Sequence, residues 1–351
     1  MNLDSLEAIQ HLDRENLYAK INNLPNQLSD AWQTGMKYDL PIRRDFRLVV
    51  FTGMGGSGTS ADLLAAYLAP ICRVPVFVHR GYSLPAWAQG EDVLVVATSY
   101  SGGPEETLSA FESGIANGCT QVVISQGGRL VEMASQNGVP VWNVREPGRP
   151  RALVGWGFGL GLCLLYRLGL IENPEEDLRT TINEMRTAQT HFALEKTLAE
   201  NPAKRMAGQM CGRFICIFAA EFLEPVARRW KTQVNESAKA WAQYETIPEG
   251  NHNTLEGVKQ PEALLGQTMM IFLQSNLYLN QNQKRINISR RMLMLEGLGT
   301  DMITQRGSSR LAQMWTALLF GDYITFYLGI CNGVDPSPVE MIAELKQQLE
   351  N

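Results

Sequence analysis

Histidine and charge are both scarce in this chain. Only four histidines occur, at 11, 79, 191 and 252, and charged residues make up 19% of the 351 positions. The histidines are isolated from one another. The six cysteines (72, 119, 163, 211, 216 and 331) stand singly, mostly inside apolar runs such as GRFICIFAA. Neither metal-ligand spacing nor a disulfide framework emerges, so a metal has no support and the thiols read as reduced, which predicts a cytoplasmic protein. No basic run or basic–aromatic stretch occurs, which speaks against a nucleic-acid partner. The formal net charge of -5 leaves a small anion possible, because such a ligand needs only a local electropositive pocket. The opening MNLDSLEAIQHLDRENL carries acids and no apolar h-region, so no secretory signal is read there. One strongly apolar charge-free stretch, Ala152 to Tyr166, is 15 residues with four glycines. It is too short to span a bilayer and predicts a buried helix; no membrane partner is expected.

What is present is a globular composition, 45% hydrophobic, in a chain long enough for two domains. Residues 1–36 predict amphipathic helix. RLVVFTGMGGSGTSADLLAAYLA then reads as a buried strand, a glycine loop and a helix, and VPVFVHR as a second strand. EDVLVVATSYSGGPEETLSAFESGIANG and QVVISQGGRLVEMASQNG repeat strand, loop and helix, and VPVWNV adds a short strand. After a polar helical stretch the alternation restarts at GRFICIFAAEFLEPVARRWKTQVNESAKAWA, then TMMIFLQSN, DMITQRG and a strongly apolar helix from Ser309. This rhythm predicts an α/β fold, each domain a parallel sheet flanked by helices in a flavodoxin-like three-layer sandwich. The expected organisation is a helical extension over 1–40, an α/β domain over 41–175, a connecting helix over 176–205, a second α/β domain over 206–330 and a helical tail over 331–351.

Two turns could hold an anion. GMGGSGTS, from Gly53 to Ser60, lies between strand and helix, where glycines admit close backbone approach and the helix N-terminus offers free N–H groups. A tight turn without a ligand is the competing reading. No Lys follows the last glycine, so this is not a Walker A loop. The next strand ends in His79 and Arg80, not in the acid a dinucleotide site wants. SYSGGPEET, from Ser99 to Thr107, is a second such turn; alone it reads as a capped helix start. Side by side on neighbouring strands, the two would form a cradle at the carboxyl edge of the sheet. Glu236, on a predicted helix, and His252, in a loop between two asparagines, lie within 25 residues; each has an ordinary structural reading as well as a proton-transfer one. Arg151 and Lys346 are unremarkable when read alone.

Together these segments resemble the bifunctional phosphoglucose/phosphomannose isomerases, a branch of the sugar-isomerase (SIS) domain proteins. The resemblance runs in order from about residue 45, over GMGGSG at 53–58, SYSG at 99–102, GG-L at 127–130, PRA at 150–152, NES at 235–237 and PEGNHNTLEG at 248–257. GDYITFYL at 321–328 and VDPSPVEMIAELK at 334–346 complete it. It implies two SIS-type domains, a homodimer and a phosphorylated hexose as substrate, with no cofactor. Gly55, Gly56, Ser57, Ser99 and Ser101 would hold the phosphate. Glu236 would carry a proton between C1 and C2, and His252, supplied across the dimer interface, would open the sugar ring. Arg151 would stabilise the enediolate, Lys346 would lie near the ring and O1, and Ser337 would leave room for mannose. The chain departs from the common SYSGNTEET pattern at Gly103 and Pro104, losing a threonine hydroxyl. Rival readings are a non-catalytic sugar-phosphate binder on the same fold, and an isomerase of amino-sugar phosphates.

Overall fold

The computed structural model describes residues 2–41 and 45–349. The expected domain start at 41 abuts residues outside this description, and the expected tail runs two residues beyond it. In chain order the elements are α1 (Leu6–Leu12), α2 (Leu17–Asn22), α3 (Leu24–Gly35), β1 (Leu48–Thr52), α4 (Gly55–Leu68), β2 (Val76–His79), β3 (Val93–Ser99) and α5 (Glu105–Ala116). Next come β4 (Thr120–Ser125), α6 (Arg129–Gln136), β5 (Val141–Asn143), α7 (Val154–Arg167), α8 (Glu175–Gln189), α9 (Pro202–Met210), β6 (Phe214–Ala220) and α10 (Glu224–Ala238). Then follow β7 (Ala242–Ile247), α11 (Glu262–Leu265), β8 (Thr268–Gln274), α12 (Asn280–Leu295), β9 (Gly299–Thr304), α13 (Arg310–Cys331) and α14 (Glu340–Leu349).

The chain divides into two compact units, Asn23–Asn183 and Met1–Asn22 with Glu184–Asn351. The segment expected as one N-terminal extension is therefore shared: α3 belongs with the first unit, α1 and α2 with the second. The stretch expected as a connecting helix over 176–205 is broken, α8 and α9 being separated by turns and bends at 190–200.

In the first unit five parallel strands run in the order β2-β1-β3-β4-β5. β1 and β3 are buried along their whole length, as continuous apolar strands covered on both faces must be. The chain passes from β1 outward to β2 and back across to β3, so the strand order reverses between β1 and β3. β3 and β4 end level, Ser99 pairing with Ser125, and β1 ends two residues short of them, Thr52 pairing with Ala97. The charge-free stretch forms α7, buried as expected from Val154 to Leu165. Its alternating glycines admit close neighbours: a methyl group at Gly159 would stand 2.7 Å from Ala31 Cβ, and one at Gly161 2.7 Å from Leu64.

The second unit repeats the plan with four parallel strands in the order β7-β6-β8-β9. β7 is the strand that sequence reasoning missed, because AQYETI is a half-exposed edge strand without an apolar run. By length and composition α13 could cross a membrane, yet 83% of its apolar window is buried inside the protein. It is a core helix. The side chain of Arg229 on α10 lies 2% exposed and donates to both carboxylate oxygens of Asp322, at 3.0 and 2.8 Å. Trp230 donates to the Ala317 carbonyl at 2.9 Å, its indole lying where a side chain at Gly321 would stand. Removing one partner of such a buried pair costs about 3–5 kcal/mol. The GDYITFYL motif thus fixes α10, the helix that carries Glu236.

Candidate functional site

The first unit gathers its motif residues at the carboxyl ends of β1, β3 and β4. The helix α4 begins at Gly55, so Gly55, Gly56 and Ser57 form its first turn rather than a free loop, with Gly55 at φ +52°. Gly56 must be glycine: a Cβ there would stand 2.4 Å from the Pro150 carbonyl oxygen and 2.9 Å from the Arg151 nitrogen. That contact sets the turn Pro150–Ala152, which buries Arg151, against the helix N-terminus. Gln27 of α3 holds the turn from behind, donating to the Ala152 carbonyl at 2.7 Å and accepting from the Gly155 amide at 3.2 Å.

The SYSG loop is held as tightly. Tyr100 is 1% exposed, and its hydroxyl donates to the Leu153 carbonyl at 2.7 Å, accepts from the Gly157 amide at 3.1 Å and lies 3.2 Å from Ser60 Oγ. Gly102, at φ +66°, presses on the GG-L loop; a Cβ would fall 1.9 Å from the Gly127 carbonyl oxygen. Leu130 donates its amide to the Gly102 carbonyl at 3.0 Å, and Ser125 donates its hydroxyl to the Ser99 carbonyl at 2.6 Å. The buried Ser99 accepts from the Gly102 amide at 3.1 Å. Ser101 is exposed. Ser57 is 2% exposed, and its hydroxyl has no partner among the described residues. Pro104 caps α5 without a side-chain hydrogen bond.

Gly55, Gly56, Ser57, Ser99, Ser101 and Arg151 are thus brought to one edge. An open α/β sheet binds its ligand there, outside the strand ends where the order reverses, and the start of α4 offers free backbone N–H groups of the kind that can hold an anion.

In the second unit Glu236 is half-buried near the end of α10. Lys239, in the left-handed conformation at φ +54°, caps that helix and donates to the carbonyls of Glu236 and Pro338. The helix end is thereby joined to the segment holding Ser337, which is 2% exposed. Asn235 donates to the Ala240 carbonyl at 2.8 Å. Nothing in the sequence marked Lys239, since a left-handed lysine has no signature.

His252 ends a short helical turn, Glu249–His252, and is exposed. Its two asparagine neighbours pin the backbone: Asn251 donates to Ser289 Oγ at 2.7 Å, and Asn253 to Glu249 Oε1 at 3.1 Å. Lys346 lies exposed on α14, a helix with no buried residue, and no described contact brings it to Glu236. Among the described residues no group of three or more His, Cys, Asp and Glu could hold a metal ion. The second unit also has a cavity of 760 Å³ lined by His191, Phe192, Arg205, Arg306 and Phe320 among others, none of them singled out by sequence.

Two parallel sheets flanked by helices, with paired serine loops at a switch point, define an SIS-type α/β protein. A family profile described as bacterial phospho-glucose isomerase C-terminal SIS domain matches residues 199–349. The C-terminal domain of glucosamine-fructose-6-phosphate aminotransferase from Francisella tularensis has a similar fold, at a TM-score of 0.74 over 92% of this chain and 98% of that one, with 11% identity. A bifunctional phosphoglucose/phosphomannose isomerase from Caldicellulosiruptor bescii is 32% identical over 335 residues, 95% of this chain and 98% of its own. The chain belongs to the bifunctional phosphoglucose/phosphomannose isomerase family. A D-glucosamine-6-phosphate 4-epimerase from Sulfolobus acidocaldarius is also similar, 27% identical over 237 residues, 67% of this chain and 72% of that protein.

Proposed function

We propose that the protein interconverts fructose 6-phosphate with glucose 6-phosphate, and with mannose 6-phosphate, through a cis-enediolate. One observation carries the phosphate half of this reading: Ser57 is a residue only 2% exposed whose hydroxyl has no protein partner among the described residues, in the first turn of a helix at the switch point of the sheet. The backbone N–H groups at Gly55 and Gly56, with the hydroxyls of Ser57, Ser99 and Ser101, would hold a phosphate ester. Pro104 contributes no hydroxyl and no N–H, so the phosphate is held with one contact fewer than in relatives reading SYSGNTEET.

The chemistry then falls to the remaining residues. Glu236 takes the proton from C2 of the aldose and returns it to C1, and runs the reverse for the ketose. Arg151 supplies positive charge where the enediolate oxygen develops its own. His252 transfers a proton at the ring oxygen to open the sugar, and Lys346 acts near O1. Its exposed ring on a pinned backbone suits a residue presented to a second subunit, so a homodimer is part of the proposal. Glucose and mannose 6-phosphates differ at C2 alone and share one cis-enediol, so a site with space at Ser337 accepts both. Written this way the reaction needs no cofactor, and a cytoplasmic location suits its substrate.

The similarity to a glucosamine-6-phosphate epimerase favours one second reading, an amino-sugar phosphate as substrate. The test is incubation with fructose 6-phosphate, quantifying glucose and mannose 6-phosphates, with glucosamine 6-phosphate run in parallel. Both hexose products should form, and Glu236→Gln should slow the reaction by about 10²–10⁴-fold, the usual span for a lost general base. Turnover of glucosamine 6-phosphate alone would replace this reading with the second.

A further inference from the structure

At the edge of the first sheet β2 ends at His79, and the next residue, Arg80, reaches over to α4. Its Nη2 donates to the Gly58 carbonyl at 2.7 Å and to Asp62 Oδ2 at 2.5 Å. Both side chains are mostly covered, at 27% and 15% exposure. Nη1 has no partner among the described residues. A Cβ at Gly58 would stand 2.8 Å from the Gly53 carbonyl oxygen, 2.9 Å from Arg80 Nε and 3.0 Å from Nη2. Gly58 does not have a positive φ, so glycine is demanded there by close approach, of the Gly53 carbonyl on one side and the guanidinium on the other. The glycine that ends GMGGSG is the seat of the Arg80 guanidinium.

Asp62 follows Gly55 by seven residues, about 10 Å along the helix axis at 1.5 Å per residue. A bare carboxylate at that distance, behind a helix end that must face a phosphate dianion, would oppose the anion through a poorly screened path. Arg80 cancels that charge and, through the Gly58 carbonyl, ties the first turn of α4 to the end of β2. A planar guanidinium can lie flat on a glycine while its nitrogen reaches both oxygens; an ammonium is a point charge with different reach.

We propose that Arg80 is a positioning residue for the phosphate end of the substrate, clamping the anion-binding turn of α4 and neutralising Asp62. The proposal rests on the reading that this turn holds a phosphate. The experiment compares the full-length protein with Arg80→Met, Arg80→Lys and Arg80→Met/Asp62→Asn, by calorimetric titration with inorganic phosphate and by fructose 6-phosphate kinetics. In Arg80→Met the phosphate Kd and the substrate KM should both rise about tenfold, while kcat moves by less than about threefold. Arg80→Lys should recover part of the loss. Asp62→Asn in the Arg80→Met background should recover phosphate binding, because no charge is left to cancel.

An unchanged phosphate Kd in Arg80→Met overturns the proposal, as does a fall in kcat with KM untouched. Failure of Asp62→Asn to restore any binding overturns the charge argument. Should Arg80→Met not fold, Arg80→Lys, which keeps the charge and loses the planar fork, carries the test, and a smaller loss of phosphate affinity is expected. Phosphate binding is read without turnover. A wild-type protein that binds phosphate but does not isomerise leaves the role of Arg80 standing and removes the isomerase reading. One that binds no phosphate overturns both.

Discussion

The two sheets are laid out alike, β2-β1-β3-β4 in one unit and β7-β6-β8-β9 in the other, yet their switch points are finished differently. In the first unit the loops after β1 and β3 are built of glycine and serine, and the Ser57 hydroxyl is unengaged. In the second the corresponding strand ends are stoppered by the protein's own side chains. Tyr278 accepts from the Ala220 amide at 3.3 Å and donates to the Leu273 carbonyl at 3.2 Å, so it bridges the ends of β6 and β8. Gln313 of α13 accepts from Ser275 Oγ at 2.6 Å and donates to Asn276 Oδ1 at 2.8 Å and to the Gly307 carbonyl at 3.1 Å. Glu221 accepts from the Leu279 amide and from Asn282, both at 2.8 Å. Strand order makes a crevice possible; the residues lining it decide whether a ligand or the chain itself satisfies the exposed backbone groups.

The comparison breaks most visibly at Gly102. Gly102→Ala puts a methyl group 1.9 Å from the Gly127 carbonyl at a positive φ. The SYSG loop must then leave its neighbour, and phosphate affinity should fall by about a hundredfold, the equivalent of ~3 kcal/mol. Phosphate calorimetry is the measurement, and an affinity within twofold of wild type would show that the loop packing does not shape the site.

Gln313→Leu attacks the other edge. It strips partners from the buried Ser275 and from the Gly307 carbonyl, and should lower stability to denaturant by about 1–3 kcal/mol. The KM for fructose 6-phosphate should stay the same. A rise in KM as large as that of Gly102→Ala would mean the stoppered edge also meets the ligand, and the contrast between the units would fail.

The smallest effect sharpens the comparison by locating it at the edges and not in the cores. Burial pushes the thiols of Cys163 in the first unit and Cys216 in the second both up to about 12. Neither should react with a thiol reagent at pH 8 until the protein is unfolded, when all six cysteines become countable. In the unfolded chain these thiols ionise near their ordinary 9.0. Their burial therefore costs nothing below pH 9, and stability falls as pH rises from there toward 12. Rapid labelling of Cys216 alone would show that the second core opens more easily than the first.

Much of this was legible in the residues. Continuous apolar runs such as LVVFT and VLVVATS can only be strands buried on both faces, and their alternation with helices dictates parallel sheets. The glycine and serine loops marked the first edge as the candidate site, and the fold gathers them there. β7 was not legible, because AQYETI is an edge strand whose burial comes from β6 alone. Nor was the placement of Arg80, because an arginine after a strand finds its partner at a glycine 22 residues earlier in the chain. Gln313 and Tyr278 were equally silent, as ordinary members of an apolar helix and a short loop.

The amino-acid sequence by itself determined the α/β class, the order of motifs and their family, since apolar periodicity and turn chemistry are local properties of the chain. Tertiary structure alone decided which glycines are seats for a neighbour rather than turns, and which switch point stays open. It also decided that the N-terminal helices divide between the units. Those outcomes depend on pairs of residues far apart in the chain, and only close packing brings such pairs within reach of each other.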